Sequence, residues 1–210
     1  MMTDIADRPL RADAARNAER ILRAARDVYG ELGAEAPMEA IARRAGVGER
    51  TLYRRFPTKG DLINAALDQS IAENLTPVIE KALGDKDPMR GLVALIEAAI
   101  SLGAREHHML TAARRAGALR SDVSAELNDA LDRLVARGRK AGVIRADVVA
   151  DDLPRFIAML YGVLSTMDSD SDGWRRYVAL LIDSISTGAR QRTLPRAVPL
   201  RFEPSSNSWP

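Results

Sequence analysis

Basic side chains are concentrated in one short stretch of this 210-residue sequence, between residues 43 and 59. The stretch holds six basic residues and a single acid, Glu49, although the whole chain has a formal net charge of only +2. The basic residues are Arg43, Arg44, Arg50, Arg54, Arg55 and Lys59. Clustered cations neutralise phosphates, and the hydroxyls of Thr51 and Tyr53 add donors for phosphate oxygens. The chemistry this predicts is binding to a nucleic-acid backbone.

Two short helices joined by a glycine turn are predicted to carry these side chains. Pro37 is favoured at a first helical position and opens the first helix. Gly46 can take the left-handed conformation that ends a helix, and Val47 is apolar enough to pack under the turn. The second helix covers residues 49–56, and Pro57 ends it. This arrangement is typical of a helix-turn-helix that enters the DNA major groove, although similar corners occur in helical proteins that do not bind DNA.

The same stretch carries a family resemblance. Residues 40–62, AIARRAGVGERTLYRRFPTKGDL, resemble the DNA-binding signature of the tetracycline-repressor (TetR) family. The matching positions are Ile41, Ala42, Ala45, Gly46, Val47, Gly48, Thr51, Leu52, Tyr53, Phe56, Lys59 and Leu62. Arg50 stands where the family usually has glycine, and Arg55 where it often has histidine. Both departures are basic, so they bear on which sequence is preferred rather than on whether DNA is bound.

The resemblance implies roles for individual residues of the second helix. It implies that Gly48, Glu49 and Arg50 read bases, and Arg50 can pair bidentately with a guanine or lie along the backbone. It also implies phosphate contacts for a second group, Thr51, Tyr53, Arg55 and Lys59. Arg54, on the same basic helix, completes the predicted DNA-binding set.

Composition places the chain among soluble globular proteins. It is 46% hydrophobic and 29% charged, and its scarce aromatic residues favour helices over sheets. It has no cysteine, which excludes disulfides and thiolate chemistry. The first residues lack an apolar signal core, and no apolar run approaches the length of a membrane span. The expectation is an all-α protein of the cytoplasm.

Helical periodicity extends over most of the remaining chain. Residues 13–32 form a first helix whose apolar stripe packs on Ile41, Leu52 and Phe56, after a loose arm over residues 1–10. Thr58 and Asp61 resemble a capping box that opens a helix running to about residue 83, kinked or divided at Pro77. Further helices are predicted at 89–103, 106–116, 122–141, 151–167 and 174–187. The predicted domains are therefore 1–60 for DNA binding, 61–190 for effector binding and dimerisation, and a flexible tail at 191–210.

Other chemistry finds little support in the sequence. Residues 168–173, DSDSDG, match the opening of a calcium loop, but the twelfth position is Ala179 rather than the required glutamate. The adjacent His107 and His108 point about 100° apart on a helix and cannot share a metal. No catalytic triad, phosphate-binding glycine loop or zinc motif is present. We therefore expect no enzyme activity, no metal and no cofactor.

The function predicted is that of a homodimeric, ligand-responsive transcriptional regulator, most often a repressor in this family, that binds a palindromic operator. The last two helices are expected to pair across a twofold axis. Their predicted interface residues are Phe156, Leu160, Leu164, Trp174, Tyr177, Leu181 and Ile185. The resemblance implies a small-molecule effector, for which the candidate residues are His107, Met109, Leu110, Met159 and Tyr161. The alternative is a helical ligand-binding or scaffold protein without DNA binding.

Overall fold

The structure is a computed structural model that describes residues 7–118, 125–164, 166–167 and 172–188. Over these residues the chain forms α-helices and no β-strand, apart from one isolated bridge between Ile144 and Ser186. The helices are α1 (Asp7–Leu32), α2 (Met38–Ala45), α3 (Glu49–Arg55), α4 (Lys59–Asn74), α5 (Thr76–Gly84), α6 (Pro88–Arg105), α7 (His107–Arg115), α8 (Ala125–Lys140), α9 (Asp152–Leu164) and α10 (Trp174–Ile185). The predicted all-α class is confirmed. Residues 1–6 of the predicted arm, 168–171 of the acidic loop and the tail at 191–210 lie outside the described residues.

One helix boundary differs from the prediction and another confirms it. Helix α1 begins at Asp7, six residues before the predicted start, so part of the expected loose arm is helical. Pro9 lies in its first turn, where a missing N–H breaks no intrahelical hydrogen bond. The long helix after Thr58 is divided at Leu75, and Pro77 falls in the first turn of α5. The prediction of a break at this proline is confirmed.

Contacts divide the chain into two compact units. Unit 1 comprises Met1–Ala72 and Arg105–Val123, and unit 2 comprises Glu73–Ala104 and Ser124–Pro210. Unit 1 thus takes more of the chain than the predicted 1–60, because most of α4 and the whole of α7 pack with the N-terminal helices. The division of functions between two domains stays a prediction.

The core of unit 1 joins α7 to the four N-terminal helices. Ile21 and Val28 of α1 pack in one cluster with Ile41, Leu52 and Phe56, as predicted. The same cluster contains the buried face of α4 and three residues of α7. These further members are Leu62, Ile63, Ala66, Leu67, Met109, Ala112 and Ala113. Helix α7 is therefore a structural part of the N-terminal unit.

In unit 2, helices α6 and α9 make a close approach at a glycine. A Cβ atom built on Gly103 of α6 would lie 2.1 Å from Cε1 of Tyr161 on α9. The Tyr161 hydroxyl donates a hydrogen bond of 2.9 Å to the carbonyl oxygen of Ala99, one turn earlier on α6. The ring thus fills the space that a larger residue would occupy and is held there by its hydroxyl.

Replacing Gly103 by alanine is expected to destabilise the protein by about 1–3 kcal/mol, since overpacking a filled site typically costs that much. The Tyr161 ring would have to move by more than 1 Å and would lose its bond to Ala99. Urea unfolding of the wild-type protein and the variant measures the change in the free energy of unfolding. The control is Gly30→Ala, because nothing lies within 4 Å of a Cβ there and alanine should instead stabilise α1 by roughly 0.5–1 kcal/mol. A stabilised Gly103→Ala variant would contradict this account of the α6–α9 contact.

Candidate DNA-binding surface

The turn between α2 and α3 has the geometry that its sequence predicts. Gly46 has φ 64° and ψ 37°, in the left-handed region. Its N–H donates to the Arg43 carbonyl at 3.2 Å, and the N–H of Val47 donates to the Ala42 carbonyl at 3.1 Å. Val47 is half-buried and packs against the core of unit 1. These two bonds fix the direction in which α3 leaves the turn.

Helix α3 is attached to the unit by its apolar side and presents its polar side to solvent. Leu52 is fully buried and Phe56, just after the helix, is 7% exposed. The predicted DNA-binding residues, on α3 and on either side of it, are accessible to solvent to different degrees. Gly48, Glu49, Arg50, Tyr53, Arg54 and Arg55 are exposed, and Thr51 and Lys59 are half-buried. The geometry therefore leaves the basic face of α3 accessible to a large ligand, as groove binding requires.

One arginine of the basic stretch has a structural partner instead. Arg44 of α2 donates to Glu31 of α1 at 2.5 Å and lies 3.8 Å from Asp27. The hydrogen bond from Arg44 lowers the pKa of the Glu31 carboxyl. Asp27 and Glu31 are four residues apart on one face of α1, which is the sequence signal that could have revealed this pairing. Arg44 therefore pairs with α1 at the surface, whereas Arg43 and the arginines of α3 are exposed on the predicted DNA-binding side.

Lys59 lies in the first turn of α4, close to the ring of Tyr29 on α1. Its Nζ is 5.6 Å from the centroid of the Tyr29 ring. The Tyr29 side chain is 1% exposed, and burial raises the pKa of its hydroxyl. A cation at a helix start is unfavourable for the helix dipole, and the aromatic ring offsets part of this cost. Lys59 is thus held close to the N-terminus of α4, a position suited to a phosphate.

Comparison with known proteins identifies the fold. The family model of the bacterial regulatory proteins of the tetR family matches residues 21–66, which contain the glycine turn and α3. A TetR transcriptional regulator of Streptomyces coelicolor is 31% identical, covers 80% of this chain and 98% of its own, and has a TM-score of 0.62. The chain belongs to the TetR family.

Two other solved structures are similar to this TetR-family regulator over most of its length. A TetR regulatory protein of Mycobacterium vanbaalenii is 29% identical over 85% of this chain and 99% of its own, with a TM-score of 0.61. The regulator FadR of Bacillus subtilis, in complex with stearoyl-CoA, shares the fold with a TM-score of 0.64 at 18% identity. That match covers 81% of this chain and 98% of the other.

Among the described residues, none of the helices combines the length and the apolar character that a membrane span needs.

The predicted effector residues fall on two helices of different units. On α7, His107 is exposed, Met109 is 1% exposed in the core of unit 1, and Leu110 packs partly against that core. Partial burial lowers the pKa of His107, with smaller contributions from His108 and Arg114. On α9, Met159 is 61% exposed and Tyr161 is bonded to Ala99. As an effector site this set stays a prediction.

The predicted dimer residues divide into buried and accessible ones. Leu160, Trp174 and Ile185 are buried within unit 2, so their side chains serve its own core. Phe156, Leu164 and Leu181 are half-buried, and Tyr177 is 36% exposed. Two large apolar side chains that the prediction did not include for this role are more exposed: Met159 at 61% and Leu180 at 43%. We refer to the surface formed by Phe156, Met159, Val163, Tyr177, Leu180 and Leu181 as the α9–α10 face.

Proposed function

We propose that this TetR-family regulator is a repressor that binds a palindromic operator as a homodimer and is released by a small-molecule effector. The observation that carries the proposal is the exposed polar side of α3, with Arg50, Arg54 and Arg55 in solvent and Leu52 anchored in the core. In a dimer, two such helices can contact successive major-groove segments of one duplex.

The α9–α10 face supports the homodimer. Residues 156, 159 and 163 recur on one side of α9, and 177, 180 and 181 on one side of α10, and the two helices pack on each other. Exposed apolar side chains on two packed helices are typical of protein interfaces. Gly162, beside it on α9, has nothing within 4 Å of a built Cβ, which leaves room for a partner helix to approach closely. A second copy of the same face is the self-complementary partner that a twofold axis provides.

Release by an effector requires that the effector bind the DNA-incompetent state more tightly than the competent one. The relative that holds stearoyl-CoA supports a small-molecule ligand for this chain. The candidate residues on α7 and those on α9 lie in different units, and each set remains a separate proposal for contacts to such a ligand.

Selection of bound sequences from random-sequence DNA tests the proposal. We expect one inverted-repeat motif. The affinity for this motif should fall steeply with salt. We expect a slope of log K against log salt of about −5 if Arg54, Arg55 and Lys59 of both protomers contact phosphates. The double variant Arg54→Gln/Arg55→Gln should flatten that slope. The charge-matched control is Arg133→Gln/Arg139→Gln on the exposed side of α8, which should leave the slope unchanged. Recovery of no motif, with weak and salt-insensitive binding, would favour a helical protein without DNA binding.

A further inference from the structure

Two polar side chains are buried in the core of unit 1 and bonded to each other. Ser70 of α4 is 0% exposed, and Glu106, just before α7, is 5% exposed. The Ser70 hydroxyl donates to Oε1 of Glu106 at 2.5 Å. A buried carboxylate is costly to desolvate, so its hydrogen bond is a directional constraint that the surrounding apolar contacts do not supply.

The position of this pair in the chain is distinctive. The chain leaves unit 1 after Ala72, two residues beyond Ser70, and re-enters it at Arg105, directly before Glu106. The Ser70–Glu106 pair therefore ties together, inside unit 1, the two segments through which the chain passes to and from unit 2. The guanidinium of Arg105 also lies 3.8 Å from Oε1 of Glu106.

The pair joins α4 directly to the start of α7, a helix that otherwise packs mainly on α1. Ala66 and Leu67 of α4 belong to the same apolar cluster as Met109 and Ala113 of α7. Apolar contacts of this kind tolerate sliding, because the hydrophobic effect is non-directional. The Glu106 carbonyl accepts the N–H of Leu110 at 2.9 Å, so the same residue starts α7 and bonds to α4. The register of α7 along α4 is thus fixed at Glu106.

We infer that Ser70 and Glu106 are positioning residues for operator binding, which fix α7 against α4 and so hold the DNA-binding helices in the arrangement that fits the operator. The inference rests on the proposed function. Ser70 and Glu106 are buried, whereas the arginines of α3 are exposed, so loss of the pair should leave the phosphate-binding cations unchanged. It should lower affinity for the operator without lowering affinity for DNA in general.

Four variants of the full-length protein separate positioning from simple stability. Ser70→Ala and Glu106→Met each remove the hydrogen bond between the two residues, whereas Glu106→Gln keeps an acceptor oxygen for Ser70. The double variant Ser70→Ala/Glu106→Met replaces both partners by apolar groups of similar size and should recover the stability that the single variants lose. Controls are Ser101→Ala on α6 and Glu80→Gln on the exposed side of α5.

Affinity is measured for a duplex selected by the wild-type protein and for the same duplex scrambled. We expect both single variants and the double variant to bind the selected duplex about tenfold more weakly, within the usual range of coupling between sites. The scrambled duplex should be bound as before, and Glu106→Gln should retain most of the wild-type affinity. A double variant that recovers operator affinity together with stability would overturn the inference, since the pair would then serve stability alone.

Amide hydrogen exchange of the DNA-free protein keeps this test separate from that of the proposed function. The single variants should exchange amides of α7 at least tenfold faster while those of α2 and α3 stay protected. Uniform acceleration, or none, would overturn the positioning role. If the wild-type protein selects no duplex, the proposed function fails, and the exchange result alone decides whether the pair fixes α7.

Discussion

Replacing Met159 and Leu180 together by lysine is expected to convert the protein to monomers and to weaken operator binding by 100-fold or more. Both side chains project from the α9–α10 face, where a lysine would place an unpaired charge in a dimer interface. Two linked DNA-binding surfaces bind roughly 10²–10⁴ times more tightly than one, because the second binds at a high effective concentration. A monomer loses that gain in affinity. Sedimentation equilibrium and titration with a two-half-site duplex measure the two effects.

The protomer itself should remain folded, because both side chains are already largely in solvent. The matched control is Val149→Lys, at a valine that is 49% exposed in the same unit but away from the α9–α10 face. This control should remain dimeric and retain its operator affinity. The double variant should bind a duplex with a single half-site as well as the wild-type protein does. A double variant that stays dimeric would place the interface elsewhere.

Features set by neighbouring residues could be predicted from the sequence. The glycine turn follows from Gly46 and Val47, whose N–H groups bond to carbonyls only three and five residues earlier. The first turn of α4 follows from Thr58 and Asp61, which bond reciprocally: the Thr58 N–H donates to Asp61 at 3.0 Å, and the Asp61 N–H to the Thr58 hydroxyl at 3.1 Å. Such contacts depend on the order of residue types alone, so the sequence contains all the information needed for them.

Features that depend on distant segments could not be predicted in this way. Arg44 belongs to the basic stretch that predicts DNA binding, but its partner Glu31 lies 13 residues away on another helix. An apolar stripe shows which side of a helix is buried, yet not which element covers it. For this reason the sequence does not show that α7 belongs to the N-terminal unit. For the same reason, it does not show that Leu160 and Trp174, which it predicts for a dimer interface, are buried within unit 2.

Replacing Arg50 by alanine is expected to abolish sequence preference at one base pair of each half-site and to weaken operator binding by about 30-fold to 10⁴-fold. Arg50 is exposed in the first turn of α3, beside the N-terminal residues that enter the groove first. A bidentate arginine–guanine pair contributes roughly 1–3 kcal/mol of discrimination, and a dimer loses two such pairs. Selection from random DNA with the wild type and the variant, followed by titration of the recovered duplexes, measures both effects.

The comparison that separates base reading from phosphate binding is Arg54→Ala. A phosphate contact carries no sequence information, so this variant should weaken binding to all duplexes alike. It should also reduce the slope of log K against log salt by about one for each protomer. Arg50→Gln provides a positive test, because glutamine pairs bidentately with adenine and should shift the selected base from guanine to adenine at the same position. If Arg50→Ala instead weakens all duplexes alike and leaves the selected motif unchanged, Arg50 lies along the backbone and the bases are read by its neighbours.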